Sequence, residues 1–97
     1  MRYNIVLVAE AVEDLNNLSA RERSAVRDEI EEHLRHRPMR ESKSRVKRLR
    51  HVSPPQYRLR VGYIRVFYEI RGDTVAILGI VPKPEATSWL RRAGERG

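Results

Sequence analysis

The chain has 97 residues, no cysteine and a formal net charge of +7 at pH 7. This length predicts a single domain over residues 1–97, and the absence of cysteine excludes a disulfide framework and a thiolate zinc site. The apolar run at the start of the chain is short and meets acidic residues at once, so we expect neither a signal peptide nor a membrane span. We therefore expect a cytoplasmic protein with a polyanionic partner.

The charge is divided between two parts of the chain. Residues 9–32 carry eight acidic side chains against three arginines, whereas residues 40–65 carry nine basic side chains against one glutamate. A chain with segregated charge has an oriented basic face, which attracts phosphate backbones over a long range. The second segment is therefore the part expected to face phosphates.

The N-terminal segment predicts a strand followed by a short helix. The β-forming residues over 2–8 predict the strand, and we expect it inside the sheet because both of its faces are partly apolar. Ala11, Leu15 and Leu18 follow at the spacing of the core stripe of a helix.

A second helix is predicted directly after the first. The sequence from Ser19 to Glu22 has the spacing of a capping box, which predicts a helix that begins at Ala20. Pro38 is expected to close this helix, because the residue before a proline is disfavoured in the α region.

The second half of the chain predicts strands joined by short links. Residues 38–45 form a polar loop, and a weak alternation over 46–51 indicates a short strand. Further strands are expected over residues 56–61, 63–70 and 75–81. Pro84 suits the first turn of a short terminal helix, with Gly94 beyond its end.

This order of elements predicts an α+β fold of two layers. The order is β-α-α-β-β-β, with a fourth later strand if residues 46–51 form one, and the sheet is antiparallel because short links join the later strands. Two helices should pack on one face of the sheet, and a short helix should end the chain. The opposite face is expected to be left to solvent or to a partner.

Arginines alternate with apolar residues on the two strands that flank Gly62. Arg58 and Arg60 share one face of the first strand, and Arg65 lies on the facing strand. If the apolar rows of the two strands coincide, all three arginines fall on the uncovered face. Such a cluster is costly without an anion, although a solvated face remains an alternative. The preceding basic run favours phosphate binding; its candidate RNA-binding residues are Lys43, Arg45, Lys47, Arg48, Arg50 and His51.

Two stretches of this sequence resemble a known family. YRLRVGYIRVFYEI, followed after a turn by TVAILGIVPKPEATSWL, resembles the C-terminal half of the RelE/ParE superfamily, small bacterial toxins of toxin–antitoxin modules. The likeness covers most of the chain in element order and residues 57–90 in sequence detail. The resemblance to the RelE branch implies a ribosome-dependent messenger RNA endonuclease that needs neither metal nor other cofactor, in which the 2′-hydroxyl attacks the adjacent phosphorus. It also implies a cognate antitoxin that wraps the toxin with an otherwise flexible segment.

The resemblance assigns catalytic roles to four basic residues. Arg58, Arg60 and Arg65 match positions that contact RNA in the RelE branch, and Lys83 is the candidate for a basic residue after the last strand. Guanidinium groups can fix the scissile phosphate and neutralise its growing charge, but they are poor bases. The general base and acid are left unassigned, with His51 as the histidine candidate for proton transfer.

The end of the chain departs from the RelE pattern. RelE-like nucleases often carry a tyrosine after the last strand, whereas this chain has Trp89 in that region. Trp89 is a candidate for stacking on an RNA base, although helix-to-core packing is favoured, and an indole cannot act as an acid. The alternatives are therefore a ParE-like inhibitor of DNA gyrase and a degenerate member that binds RNA without turnover.

Overall fold

The computed structural model describes residues 1–51 and 53–96, and the predicted α+β class and element order are confirmed. Within these residues the chain forms five strands and three helices. None of the three helices has the length and apolar character needed to cross a membrane. The elements are β1 (Asn4–Leu7), α1 (Ala9–Asn16), α2 (Ala20–Leu34), β2 (Val46–Arg48), β3 (Tyr57–Val61), β4 (Ile64–Arg71), β5 (Thr74–Pro82) and α3 (Lys83–Arg96).

The sheet has the strand order β1-β5-β4-β3-β2. The strands from β2 to β5 pair antiparallel with their neighbours, as short links require, but β1 pairs parallel with β5. Short connections force neighbouring strands to pair antiparallel, but this does not apply to β1, because most of the chain separates β1 from β5. The expectation that the first strand lies inside the sheet is wrong, since β1 is an edge strand despite being apolar on both faces.

Helices α1 and α2 cover one face of the sheet. The buried stripe of α2 consists of Val26, Ile30 and Leu34, and it packs into the main hydrophobic core. The capping box at the start of α2 is confirmed: the backbone N–H of Glu22 donates to Ser19 Oγ at 3.1 Å, and that of Ser19 donates to Glu22 Oε1 at 3.0 Å. The helix ends at Leu34, a turn before Pro38, so the second helix begins where predicted and ends earlier.

Helix α3 covers part of the opposite face. Phe67, Val81 and Trp89 form a second apolar cluster there, and the rings of Phe67 and Trp89 stack with centroids 4.7 Å apart. The expectation of an uncovered face is therefore wrong for the half made by β4 and β5. Nor does Gly94 lie beyond the terminal helix, because α3 continues to Arg96.

Strand β5 has a β-bulge where it passes beneath α3. Phe67 pairs with Gly79 and Tyr68 pairs with Ile77, so Leu78 is an extra residue in β5. Gly79 then faces α3, where a Cβ atom would lie 2.4 Å from two ring atoms of Trp89. A glycine is thus required for this close approach of helix and sheet.

Candidate functional site

The hairpin of β3 and β4 brings three arginines onto one face of the sheet. Arg60 pairs directly with Arg65, and Arg58 pairs with Phe67, which belongs to the α3 side. Because cross-strand pairs point to the same face, Arg58, Arg60 and Arg65 lie together beside the part that α3 covers. We refer to these three residues as the arginine trio.

Arg65 is the most buried member of the trio. Its residue surface is 7% exposed, and its Nη1 donates to the carbonyl oxygens of Gly62 at 2.9 Å and Ile64 at 3.2 Å. Burial lowers the pKa of the Arg65 guanidinium, and the charges of Arg58 and Arg60 lower it further. Backbone carbonyls therefore hold this cation, and no carboxylate among residues 1–51 and 53–94 forms a salt bridge with it.

Arg58 and Arg60 are more open to solvent. Arg58 is half-buried, and its Nε is enclosed without a hydrogen-bond partner among the described residues. Burial lowers the pKa of Arg58 most, followed by the nearby charge of Arg60. Arg60 is exposed, and its backbone N–H donates to the carbonyl of Arg45 at 2.8 Å. An anion placed at the trio would relieve this mutual repulsion.

The acidic residue of the same face lies away from the trio. Glu69 accepts a hydrogen bond from Arg71 Nε at the far end of β4. The arginine that Glu69 holds is therefore outside the trio. The trio thus keeps its full positive charge.

Lys83 lies at the same end of the sheet as Arg65. Val81 pairs with Arg65, and Lys83 follows two residues later as the first residue of α3. Its backbone N–H donates to the carbonyl of Tyr63 at 2.7 Å, and its side chain is exposed. The start of α3 therefore adds a solvent-accessible cation next to the hairpin turn.

The basic run before β3 is split between the two faces of the sheet. Lys47 pairs with Arg58 and shares the face of the trio, whereas Arg48 pairs with Tyr57 on the face of α1 and α2. Arg48 Nη1 donates to Tyr57 Oη at 3.0 Å, and its guanidinium lies 5.2 Å from the centre of that ring. Arg45 Nε reaches to 4.0 Å from a carboxylate of Glu29 on α2. The expectation that this whole run joins the arginines in one basic face is wrong, because alternate residues of β2 point to opposite sides.

Lys43, Arg50 and His51 are exposed residues in the loops on either side of β2. Arg50 and His51 line a depression of about 350 Å³ together with Lys47 and Arg48. These side chains remain accessible to a polyanion at the edge of the sheet.

Trp89 is not accessible to a base. It is 5% exposed, with one face of its indole stacked on Phe67 and its edge over Gly79. The prediction that Trp89 binds an RNA base is therefore wrong. Trp89 packs against the sheet instead, as the favoured alternative predicted.

Two features of the site have no counterpart in the sequence pattern. The carbonyl oxygens of Gly62 and Ile64 that hold Arg65 depend on the turn, in which Gly62 takes a φ of +60°. Strand alternation also places Tyr63 beside Arg65, but its hydroxyl donates instead to Glu22 Oε2 at 2.8 Å, at the start of α2. Gly62 indicates the turn in the sequence, whereas the hydrogen bond from Tyr63 to Glu22 on α2 depends on the tertiary fold.

One group of residues has the spacing of possible metal ligands. Glu29, Glu32 and His33 lie on α2, with ligand atoms within 4.8 Å of one another. His33 Nε2 is 2.9 Å from a Glu29 carboxylate oxygen, an i, i+4 contact on the surface of the helix.

No family model and no curated protein sequence matches the chain. Solved structures do match it. A chain of the toxin–antitoxin complex RelBE2 from Mycobacterium tuberculosis is 28% identical with a TM-score of 0.67, over 84% of this chain and 99% of that one. A chain of the RelB–RelE antitoxin–toxin complex from Methanococcus jannaschii is 21% identical with a TM-score of 0.67, over 87% and 96%. The chain has the RelE fold.

A mutant of the Escherichia coli toxin RelE in the free state gives a similar result. It is 13% identical with a TM-score of 0.63, and the match covers 99% of this chain and 97% of that one. The resemblance read from residues 57–90 is thereby confirmed at the level of the fold. Within this RelE fold the arginine trio occupies the sheet face beside α3, on the side away from α1 and α2.

Proposed function

We propose that this chain is the toxin of a type II toxin–antitoxin module and inhibits translation as a ribosome-dependent endonuclease of messenger RNA. The RelE fold supports a toxin, and two of the matched structures are complexes of an antitoxin with a toxin. We therefore also propose a cognate antitoxin as partner and the cytoplasm, where ribosomes work, as location. The observation that carries the nuclease proposal is the arginine trio, gathered beside α3 with no salt bridge to a carboxylate of residues 1–51 and 53–94.

The trio has the properties of a site for a phosphodiester. Three guanidinium groups present planar forks of N–H donors, which match phosphate oxygens better than a single ammonium group does. Arg65 is held rigidly by two carbonyl oxygens, and a held donor costs little reorganisation when charge develops on the phosphate. Lys47 on the same face and the exposed Lys43, Arg50 and His51 would hold the flanking RNA backbone.

In the proposed reaction the RNA supplies its own nucleophile. The 2′-oxygen forms a bond to the adjacent phosphorus while the bond from phosphorus to the 5′-oxygen breaks, which leaves a 2′,3′-cyclic phosphate and a 5′-hydroxyl end. The proton of the 2′-hydroxyl leaves to a base, and the 5′-oxygen gains a proton. The trio lowers the barrier by neutralising the charge that accumulates on the non-bridging oxygens, and Lys83 adds a cation at the end where β5 passes into α3.

The test measures cleavage of messenger RNA on programmed ribosomes by the purified chain without any partner. Arg60→Ala should reduce the cleavage rate by about 10²-fold or more, because it removes an exposed cation aimed at the phosphate. Arg71→Ala is the matched control, since Arg71 is an exposed arginine on β4 that lies outside the trio. Equal activity of the two variants, or no cleavage by the unmodified chain, would contradict the proposal.

A second candidate function is inhibition of DNA gyrase in the manner of ParE. The burial of Trp89 favours it, because the chain has no tyrosine after Tyr68 and the ring that follows the last strand is packed away from solvent. A supercoiling assay with purified gyrase, run beside the ribosome assay, separates the two functions. Inhibition of supercoiling without cleavage of RNA would favour the ParE-like function, and RNA binding without either activity would indicate a degenerate member.

A further inference from the structure

Tyr63 presents an exposed aromatic ring at the turn between β3 and β4. Its surface is 55% exposed, whereas every other aromatic side chain among residues 1–51 and 53–94 is buried in one of the two apolar clusters. An exposed ring beside a basic surface is the arrangement on which single-stranded nucleic acids stack their bases. The buried rings are those of Tyr3, Tyr57, Phe67, Tyr68 and Trp89.

The turn that carries Tyr63 is attached to the arginine trio. Tyr63 stands between Gly62 and Ile64, and the carbonyl oxygens of both neighbours accept hydrogen bonds from Arg65 Nη1, at 2.9 Å and 3.2 Å. The carbonyl of Tyr63 itself accepts from the backbone N–H of Lys83 at 2.7 Å, at the start of α3. An RNA strand bound at Arg65 and Lys83 therefore passes beside Tyr63.

The side chain of Tyr63 is also fixed at its hydroxyl end. The hydroxyl donates to Glu22 Oε2 at 2.8 Å, and the other oxygen of that carboxylate accepts the backbone N–H of Ser19 at 3.0 Å, in the capping box of α2. The hydrogen bonds from Ser19 and then from Tyr63 lower the pKa of Glu22, so the acceptor stays ionised. A ring that is fastened at both ends loses little conformational entropy when a ligand stacks on it.

The hydrogen bond to Glu22 determines which part of Tyr63 can serve a ligand. It raises the pKa of the Tyr63 hydroxyl, which makes that group a poor proton donor. The face of the ring takes no part in this bond and is left to meet a ligand. Every nucleic-acid base has a flat π-face that stacks on an aromatic ring, so an unpaired base matches both the ring and the cations beside it.

We propose that the ring of Tyr63 stacks on an unpaired RNA base next to the phosphate that the arginine trio binds. This inference rests on the proposed function, because the trio supplies the phosphate contact. Contacts to phosphate hold the backbone without reading the bases. Stacking on Tyr63 adds affinity and fixes the position of the strand along the sheet, and it is tolerant of sequence because any base can occupy the ring.

The test measures binding of the purified chain to a short single-stranded uridine RNA that carries the fluorescent base 2-aminopurine at one position at a time. Stacking on the ring should quench the fluorophore at one of these positions. Tyr63→Leu removes the ring, so it should abolish this quenching and weaken binding by at least about fivefold. Tyr63→Phe keeps the ring and loses only the hydroxyl, so it should retain the quenching and bind within about threefold of the unmodified chain.

Met39→Ala is the matched control for the loss of exposed apolar surface. Met39 is 54% exposed and lies beyond the C-terminal end of α2, whereas Tyr63 contacts the start of that helix. Met39→Ala should therefore bind the RNA as the unmodified chain does.

The salt dependence of binding provides a second readout. Stacking releases no counterions, so Tyr63→Leu should lower the affinity equally at every salt concentration and leave the slope of log affinity against log salt unchanged. A smaller slope in Tyr63→Leu contradicts the inference, because the lost affinity then belongs to phosphate contacts.

The outcomes separate this inference from the proposed function. If Tyr63→Leu binds RNA as tightly as Met39→Ala, or if Tyr63→Phe loses as much affinity as Tyr63→Leu, the ring is not the contact and the inference alone is wrong. A failure of the unmodified chain to bind the RNA also overturns it. Cleavage on programmed ribosomes is measured separately, and a chain that quenches the probe but leaves messenger RNA intact contradicts the nuclease function while the stacking inference stands.

Discussion

Replacement of Gly79 by alanine tests how α3 is fixed to the sheet. The added Cβ would lie 2.4 Å from Trp89 Cε2 and Cζ2 and 2.6 Å from its Nε1. The indole cannot move away freely, because its other side is stacked on Phe67. Overpacking of this kind costs about 1–3 kcal/mol, and complete undocking of the tryptophan would cost about 3–5 kcal/mol.

The expected result is a large fall in melting temperature. A domain of this size loses about 4–8 °C for each kcal/mol, so Gly79→Ala should melt about 4–24 °C below the unmodified chain. Gly94→Ala is the control: a Cβ at Gly94 meets nothing within 4 Å, and an alanine inside α3 should stabilise the chain by up to about 1 kcal/mol. Thermal unfolding followed by circular dichroism measures both variants.

Fluorescence provides a readout specific to the contact, because the chain contains a single tryptophan. Gly79→Ala should shift the emission of Trp89 to longer wavelength as the ring becomes exposed. The reasoning fails if Gly79→Ala melts within about 2 °C of the unmodified chain with unchanged emission, since the helix would then not approach the sheet as closely as the geometry requires.

Three further changes have defined outcomes. Ser19→Ala should lower the free energy of unfolding by about 1 kcal/mol in a urea titration, because it removes the side-chain acceptor of the capping box. Tyr68→Phe should cost about 1–3 kcal/mol, since the Tyr68 hydroxyl donates to the buried carbonyl of Pro38 at 2.6 Å. Burial raises the pKa of Tyr68 above its usual value of 10.0, so the unfolded chain loses this proton first and stability should fall as pH rises above about 10. Tyr68→Phe should reduce this dependence but not abolish it, because the hydrogen bond to Glu22 also raises the pKa of Tyr63. Arg60→Ala should reduce the slope of log affinity for single-stranded RNA against log salt by about 0.7, measured by fluorescence anisotropy.

The local patterns that were predicted correctly are those in which neighbouring residues decide the structure. The capping box at Ser19 and the hairpin turn at Gly62 depend on a few adjacent residues, and both formed as expected. The alternation that placed Arg58, Arg60 and Arg65 on one face depends only on strand geometry and on the register set by that turn. For the same reason, the arginine trio can be predicted from the sequence alone.

The features that could not be predicted depend on contacts between distant parts of the chain. An apolar strand such as β1 indicates an interior position, but its place at the edge follows from its parallel pairing with β5, about 70 residues later. The docking of α3 likewise depends on the absence of a side chain at Gly79 and on a bulge at Leu78, neither of which has a periodic signal. The split of the basic run is different, since alternation along β2 already predicts that Lys47 and Arg48 point to opposite faces.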